Sequence, residues 1–124
     1  LEAIAVYTSI LNRCDYSLMH HYSNFEKLQG DVEWCRALRK ALEAETPEAV
    51  VQGKDLALMR YAGKLTKTPG EMVAEDVLSA KREGASDEEI LEVNQVCAYF
   101  NYSNRTLNGL GVSTEGDTIG YYQK

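Results

Sequence analysis

Cys14-Asp15-Tyr16-Ser17-Leu18-Met19-His20-His21 reads as the opening turns of a helix with a thiol at its start. An α-helix rises about 1.5 Å per residue, so Ser17 and His21 lie one turn apart on one face. Cys14 and His21 are two turns apart, too far for direct contact, and the imidazole therefore serves position 17. A thiol at a helix N-terminus meets unpaired amide N–H groups and the positive end of the dipole, and both favour thiolate over thiol. Upstream, Glu2 is the only charged side chain in the largely apolar stretch that ends at Leu11. A carboxylate there either stays at an exposed helix start or lies against a partner, and His21 on the next helix is a candidate for that partner.

Working outward, helix signals dominate and strand signals are almost absent. Residues 2–12 carry Ile4, Val6, Ile10 and Leu11 and predict a helix buried on most sides. After a break at Asn12-Arg13, the spacing predicts a helix over 15–28 with a core stripe of Leu18, His21, Phe25 and Leu28, closed by Gly30. His20 is expected to face away from His21. Asp31 caps a short helix whose inward face is Val32, Cys35, Leu38 and Leu42. Thr46-Pro47-Glu48 marks a start before Val51, and residues 54–66 follow the Gln52-Gly53 break with Leu58, Met59, Ala62 and Leu65 apolar. Thr68-Pro69-Gly70-Glu71 is expected to open a helix running to Glu83. Ser86-Asp87-Glu88-Glu89 is a capping box for the last and longest helix, expected over 87–108, with Gly109 and Gly111 ending it. Cys97 sits with Ile90, Val93 and Phe100 on its core stripe. The fold class is all-α: one domain over 1–111, then a polar tail over 112–124 carrying Tyr121 and Tyr122.

At 124 residues, with 44% apolar and 26% charged residues, the chain has the balance of a soluble domain large enough to bury a core. A net charge of −6 and scattered basic residues argue against a nucleic-acid partner. No apolar run reaches the length of a membrane span. The chain opens on Leu1, inside an amphipathic segment and without a cap or a signal pattern, and we expect an N-terminal part to precede it. Three cysteines cannot all pair within one chain; free thiols and a cytoplasmic location are expected. The sequons Asn101-Tyr102-Ser103 and Asn104-Arg105-Thr106 fall within a predicted helix and read as chance. No metal pair is expected from His20 and His21, because adjacent helical residues diverge. No cofactor is expected either.

The spacing Glu–x11–Cys–x2–Cys–x3–His is the signature of the alkylhydroperoxidase D-like and carboxymuconolactone decarboxylase group, and this chain resembles it. Glu2, Cys14 and His21 match; Ser17 stands where the second cysteine belongs. The stretches Thr68-Pro69 through Ile90 and Ala98 through Gly111 are similar to the subgroup of peroxidase-related proteins. The resemblance implies a helical bundle that assembles into dimers, trimers or hexamers. It also implies a redox cysteine pair that reduces peroxides with a thiol reductant, Glu and His relaying a proton to the second thiol. The implied catalytic set is Glu2, Cys14, Ser17 and His21, with Ser17 unable to close the usual disulfide.

Three accounts of Ser17 stay open: a laboratory substitution, a natural single-thiol variant, or a pocket that has lost redox work. The function readings are correspondingly a thiol-dependent antioxidant oxidoreductase, a decarboxylase-like carbon-acid enzyme using His21 and Glu2, and a catalytically silent helical oligomer that binds a ligand or partner. A Ser17–His21–Glu2 hydrolytic triad fits the spacing but needs an oxyanion hole that no sequence feature supplies. Homo-oligomerisation is expected in any of the three, because the first helix is apolar on more sides than so short a core covers.

Overall fold

A computed structural model describes residues 1–115 of the chain. Every regular element among them is helical: α1 (Glu2–Leu11), α2 (Asp15–Gln29), α3 (Val32–Glu43), α4 (Gly53–Lys67), α5 (Ala74–Arg82) and α6 (Asp87–Leu110). Short 3-10 turns at Pro47–Ala49 and Pro69–Glu71 flank α4. The expected tail tyrosines, Tyr121 and Tyr122, lie outside the described residues.

The apolar run of the first helix places it at the centre. Every residue from Ile4 to Ser9 is buried, and α1 packs against α2, α3, α4 and α6. Around it Phe25, Leu38, Leu42, Met59, Ile90 and Val93 complete one core, with Cys35 and Cys97 fully buried inside it. Close approach of α4 to α1 depends on Gly63: a Cβ there would lie 3.0 Å from Cε2 of Tyr7.

Between α1 and α2 the chain turns through Asn12, Arg13 and Cys14. Arg13 adopts the left-handed region, φ 53°, unusual for a residue with a Cβ, and Cys14 becomes the extended N-cap of α2. The pairs Ser9–Ser17 and Glu2–His21 then run in opposite senses along the two helices, so α1 and α2 form a helical hairpin. The other ends follow the local signals. Gly30 closes α2 at φ 75°, Asp31 accepts a hydrogen bond from the Trp34 amide at 3.0 Å, and Ser86 and Glu89 make the reciprocal box that opens α6.

The structure corrects several expectations. Thr68-Pro69-Gly70-Glu71 forms a single 3-10 turn, and the helix begins only at Ala74. That start is where the Asp76 carboxylate accepts from the Val73 amide at 2.8 Å and so satisfies a donor the helix leaves unpaired. The last helix passes through Gly109 to Leu110, and Gly111 alone supplies the left-handed end. In α2 the buried residues are Ser17, His20, Asn24 and Phe25, while Leu28 is 60% exposed. The helix is rotated from the apolar stripe so that Ser17 meets Ser9 of α1, whose hydroxyl donates to it at 2.9 Å, while Thr8 turns to Cys97 of α6. Val32, expected inside, is also exposed, since the turn at Gly30 sets the first turn of α3 outside the core.

Candidate functional site

The elbow after α1 sets Cys14, Ser17 and His21 on successive turns at the start of α2. Cys14 is fully buried; its N–H donates to the Ser9 carbonyl at 2.9 Å, and its carbonyl accepts from Leu18 N. Ser17, one turn on, is also buried, and its Oγ accepts from Ser9 Oγ at 2.9 Å. Ser9 Oγ lies 3.4 Å from Oδ1 of Asn104, a fully buried residue of α6.

His21 lies at the edge of this buried group. Its Nδ1 is 2.9 Å from Oε2 of Glu2, with the two side chains 14% and 22% exposed. An ionised carboxylate only accepts, so the hydrogen of a neutral ring sits on Nδ1 and the lone pair on Nε2. The ring also meets the edge of Phe100, with centroids 4.5 Å apart at 78°, which limits its rotation. Tyr99 packs edge-on against Phe100 in turn.

Ser17 and His21 form one side of a cleft of about 200 Å³. Tyr16, Tyr99, Phe100, Ser103 and Leu107 line the remainder. Of the residues expected to form the site, Glu2, Ser17 and His21 are thus gathered at or beside this cleft. Cys14 does not line it. His20 is buried and faces inward, its ring tilted against Tyr16 at 4.8 Å.

Sequence reasoning missed Ser9, Phe100 and Asn104. Ser9 carried a signal, being a polar residue within an apolar helical run. Phe100 reads only as part of the core stripe of α6 and Asn104 only as part of a sequon, because nothing local says which face of α6 meets α2. The other thiols stand apart. Burial, with Glu26 and Asp31 nearby, pushes the Cys35 thiol up, and Cys97 is enclosed between α4 and α6. Asn104 is buried and Asn101 bonds to the Cys97 carbonyl, as chance sequons in a helix would have it. Among the described residues, no three His, Cys, Asp or Glu side chains are grouped to hold a metal ion. No helix among them is long and apolar enough to cross a membrane.

No protein-family model and no curated protein matches the sequence. Solved structures do. The chain is similar to an uncharacterized peroxidase-related protein from Silicibacter sp. TM1040, with a TM-score of 0.79 and 26% identity over 90% of this chain and 56% of that one. It is similar in fold to an alkylhydroperoxidase AhpD core, an uncharacterized peroxidase-related protein from Ralstonia eutropha JMP134, with a TM-score of 0.75 and 23% identity. That match covers 87% of this chain and 55% of the other, so the chain spans little more than half the length of either. With this all-α architecture and this likeness over most of its length, the chain shares the alkylhydroperoxidase D-like fold of these peroxidase-related proteins.

Proposed function

We propose that the chain is the core of a thiol-dependent antioxidant oxidoreductase that reduces peroxides, with Glu2 and His21 as its proton relay and Cys14 as its redox sulfur. The observation that supports this reading is the 2.9 Å Glu2–His21 contact beside a cleft that Ser17 and His21 share. A carboxylate-oriented imidazole next to position 17 is the equipment needed to move a proton there.

In the reaction, a thiolate attacks one peroxide oxygen. An S–O bond forms, the O–O bond breaks, and the departing alkoxide takes a proton from the His21 imidazolium. The resulting sulfenic acid then reacts with a second thiol, forming a disulfide and releasing water. An external dithiol reduces that disulfide and returns the enzyme. Ser17 occupies the position a second sulfur would hold, so Cys14 must draw the resolving thiol from outside, and turnover is slow. A homo-oligomer belongs to the same proposal, with exposed Leu28, Val32 and Leu110 among the apolar side chains an assembly would cover. Sedimentation showing only monomer at micromolar concentration would remove that part.

The test follows peroxide consumption with a dithiol reductant in three proteins: this chain, Cys14→Ala and Ser17→Cys. Cys14→Ala should abolish the residual activity, and Ser17→Cys should gain both a reducible disulfide and faster turnover. Activity that survives in Cys14→Ala sinks the thiol reading.

One observation favours a second reading. Ser17 and His21 line the cleft and Cys14 does not, which suits carbon-acid chemistry by His21 and Glu2 without sulfur. That reading requires activity insensitive to thiol alkylation and lost in His21→Gln.

A further inference from the structure

Helix α6 serves two clefts. Tyr99, Ser103 and Leu107 line the one beside His21, while Ala98, Tyr102 and Arg105 line another. The second cleft measures about 410 Å³, within the range of small-molecule sites. Leu65 and Pro69 add apolar wall opposite Tyr102 and Ala98, and Thr66, Asn94 and Asn101 add neutral polar groups. Arg105 is the one charged residue lining it among the described residues.

No described carboxylate shares that cleft with it, in a protein of net charge −6. Elsewhere cations and carboxylates share their surroundings. Arg60 and Lys64 line a cleft with Asp76 and Glu83, and Arg36, Arg39 and Lys40 line a groove with Glu33 and Glu43. Arg105 instead donates through Nη1 to neutral acceptors of Asn101, the carbonyl at 3.1 Å and Oδ1 at 2.8 Å.

Asn101 is itself held in place. Its Nδ2 donates to the Cys97 carbonyl at 2.9 Å and to Thr66 Oγ1 at 3.2 Å, and its Oδ1 also accepts from Asn12 Nδ2 at 3.0 Å. The guanidinium is thus oriented before any ligand arrives, with Nε and Nη2, unbonded among the described residues, left to form a fork that suits a carboxylate.

We infer that this cleft binds a small organic monocarboxylate, its carboxylate on Arg105 and its apolar body against Leu65, Pro69, Ala98 and Tyr102. Charge complementarity selects this occupant. The walls demand an apolar body, and one guanidinium neutralises one negative charge. A phosphate ester would bring a second charge that a lone arginine leaves unanswered and the acidic protein repels. The inference does not depend on the peroxidase reading, since the two clefts lie on different faces of α6.

The experiment titrates the full chain with phenylbutyrate and, as the uncharged control, phenylbutanol, following backbone amide shifts by NMR. Phenylbutyrate should shift amides around Leu65 and Thr66 and along 98–105, and bind at least about tenfold more tightly than the alcohol. Arg105→Gln should bring the carboxylate down to the affinity of the alcohol. Ala98→Leu, which fills the cleft and leaves the guanidinium in place, should weaken both probes. Equal binding of the two probes, affinity unchanged in Arg105→Gln, or shifts centred elsewhere on the chain would each overturn the assignment.

Discussion

Replacing Glu2 by glutamine tests the relay at the level of a single hydrogen atom. The carboxylate accepts only, so the 2.9 Å contact fixes the hydrogen of the neutral ring on Nδ1 and the lone pair on Nε2. A hydrogen bond to a charged group is worth about 1.5–3 kcal/mol net. With side chains 22% and 14% exposed, the lower end applies, and about 1.5 kcal/mol corresponds to roughly a tenfold tautomer preference. The side-chain amide of the Glu2→Gln variant can donate to Nδ1 as readily as its carbonyl accepts, so the preference should collapse. The carboxylate also stabilises the imidazolium that forms whenever the ring takes a proton, and that contribution is lost too. Any turnover that uses His21 should therefore fall about ten- to a hundredfold, while global stability falls by no more than about 1–2 kcal/mol. The direct assay is long-range nitrogen–proton correlation of the imidazole, which separates the two tautomers without a known substrate. A wild-type ring with its hydrogen on Nε2, or a ring unchanged in Glu2→Gln, would refute the assignment of Glu2 as the residue that orients His21.

Three further outcomes follow from packing and charge. Ser9→Ala removes the donor to Ser17 Oγ and the partner of Asn104 Oδ1 inside the protein, and should cost about 1–3 kcal/mol in denaturant unfolding; a change below a few tenths would show that the buried bonds contribute little. Gly63→Ala should gain about 1 kcal/mol of helix propensity and lose about 1–3 to the clash with Tyr7, whose buried ring has little room to move, for a net loss near 1 kcal/mol; a raised urea midpoint would contradict this. Lys54, and then the Ser86 amide, hold the Glu89 carboxyl down at about 2 against an ordinary 4.5. A depressed carboxyl stabilises the fold above its unfolded value and loses that contribution as pH falls through the window from 4.5 to about 2. Thermal melts across that window should therefore fall less steeply in Glu89→Gln than in the wild type, and parallel curves would count against the pair.

The parts of the fold legible in the sequence are those that local chemistry decides. Asp31, Gly30, Gly111 and the Ser86–Glu89 box each act within a turn of their own position, and each is found where the residues point. Thr68-Pro69-Gly70 shows the limit of that reasoning. A proline after a threonine opens a 3-10 turn as well as a helix, and the choice rests on Asp76, which caps the Val73 amide further along the chain. Apolar stripes mislead for a related reason. Leu28 and Val32 flank Gly30, and the reversal there turns both outward whatever their periodicity predicts.

The site divides along the same line. Glu2 and His21 were legible only as members of a spaced pattern, since their 2.9 Å contact exists because the Asn12-Arg13-Cys14 elbow folds α2 back along α1. Ser9 and Asn104 belong to no pattern. They meet because α1 is buried on every side, so that even its polar residues must find partners inside the protein. That requirement rotates α2 until Ser17, His20 and Asn24 face inward, and it leaves His21 at the edge, where it can reach both Glu2 and the cleft. A polar residue in the central helix thereby sets the direction of the imidazole one helix away. Position 17 inherits a double duty: it answers Ser9 on one side and borders the cleft on the other. A hydroxyl meets the first demand better than a thiol, because sulfur is the weaker acceptor. Ser17→Cys should accordingly trade some stability for a thiol at the cleft, and a variant both more reactive and more stable would show that the Ser9 bond does not hold this corner together.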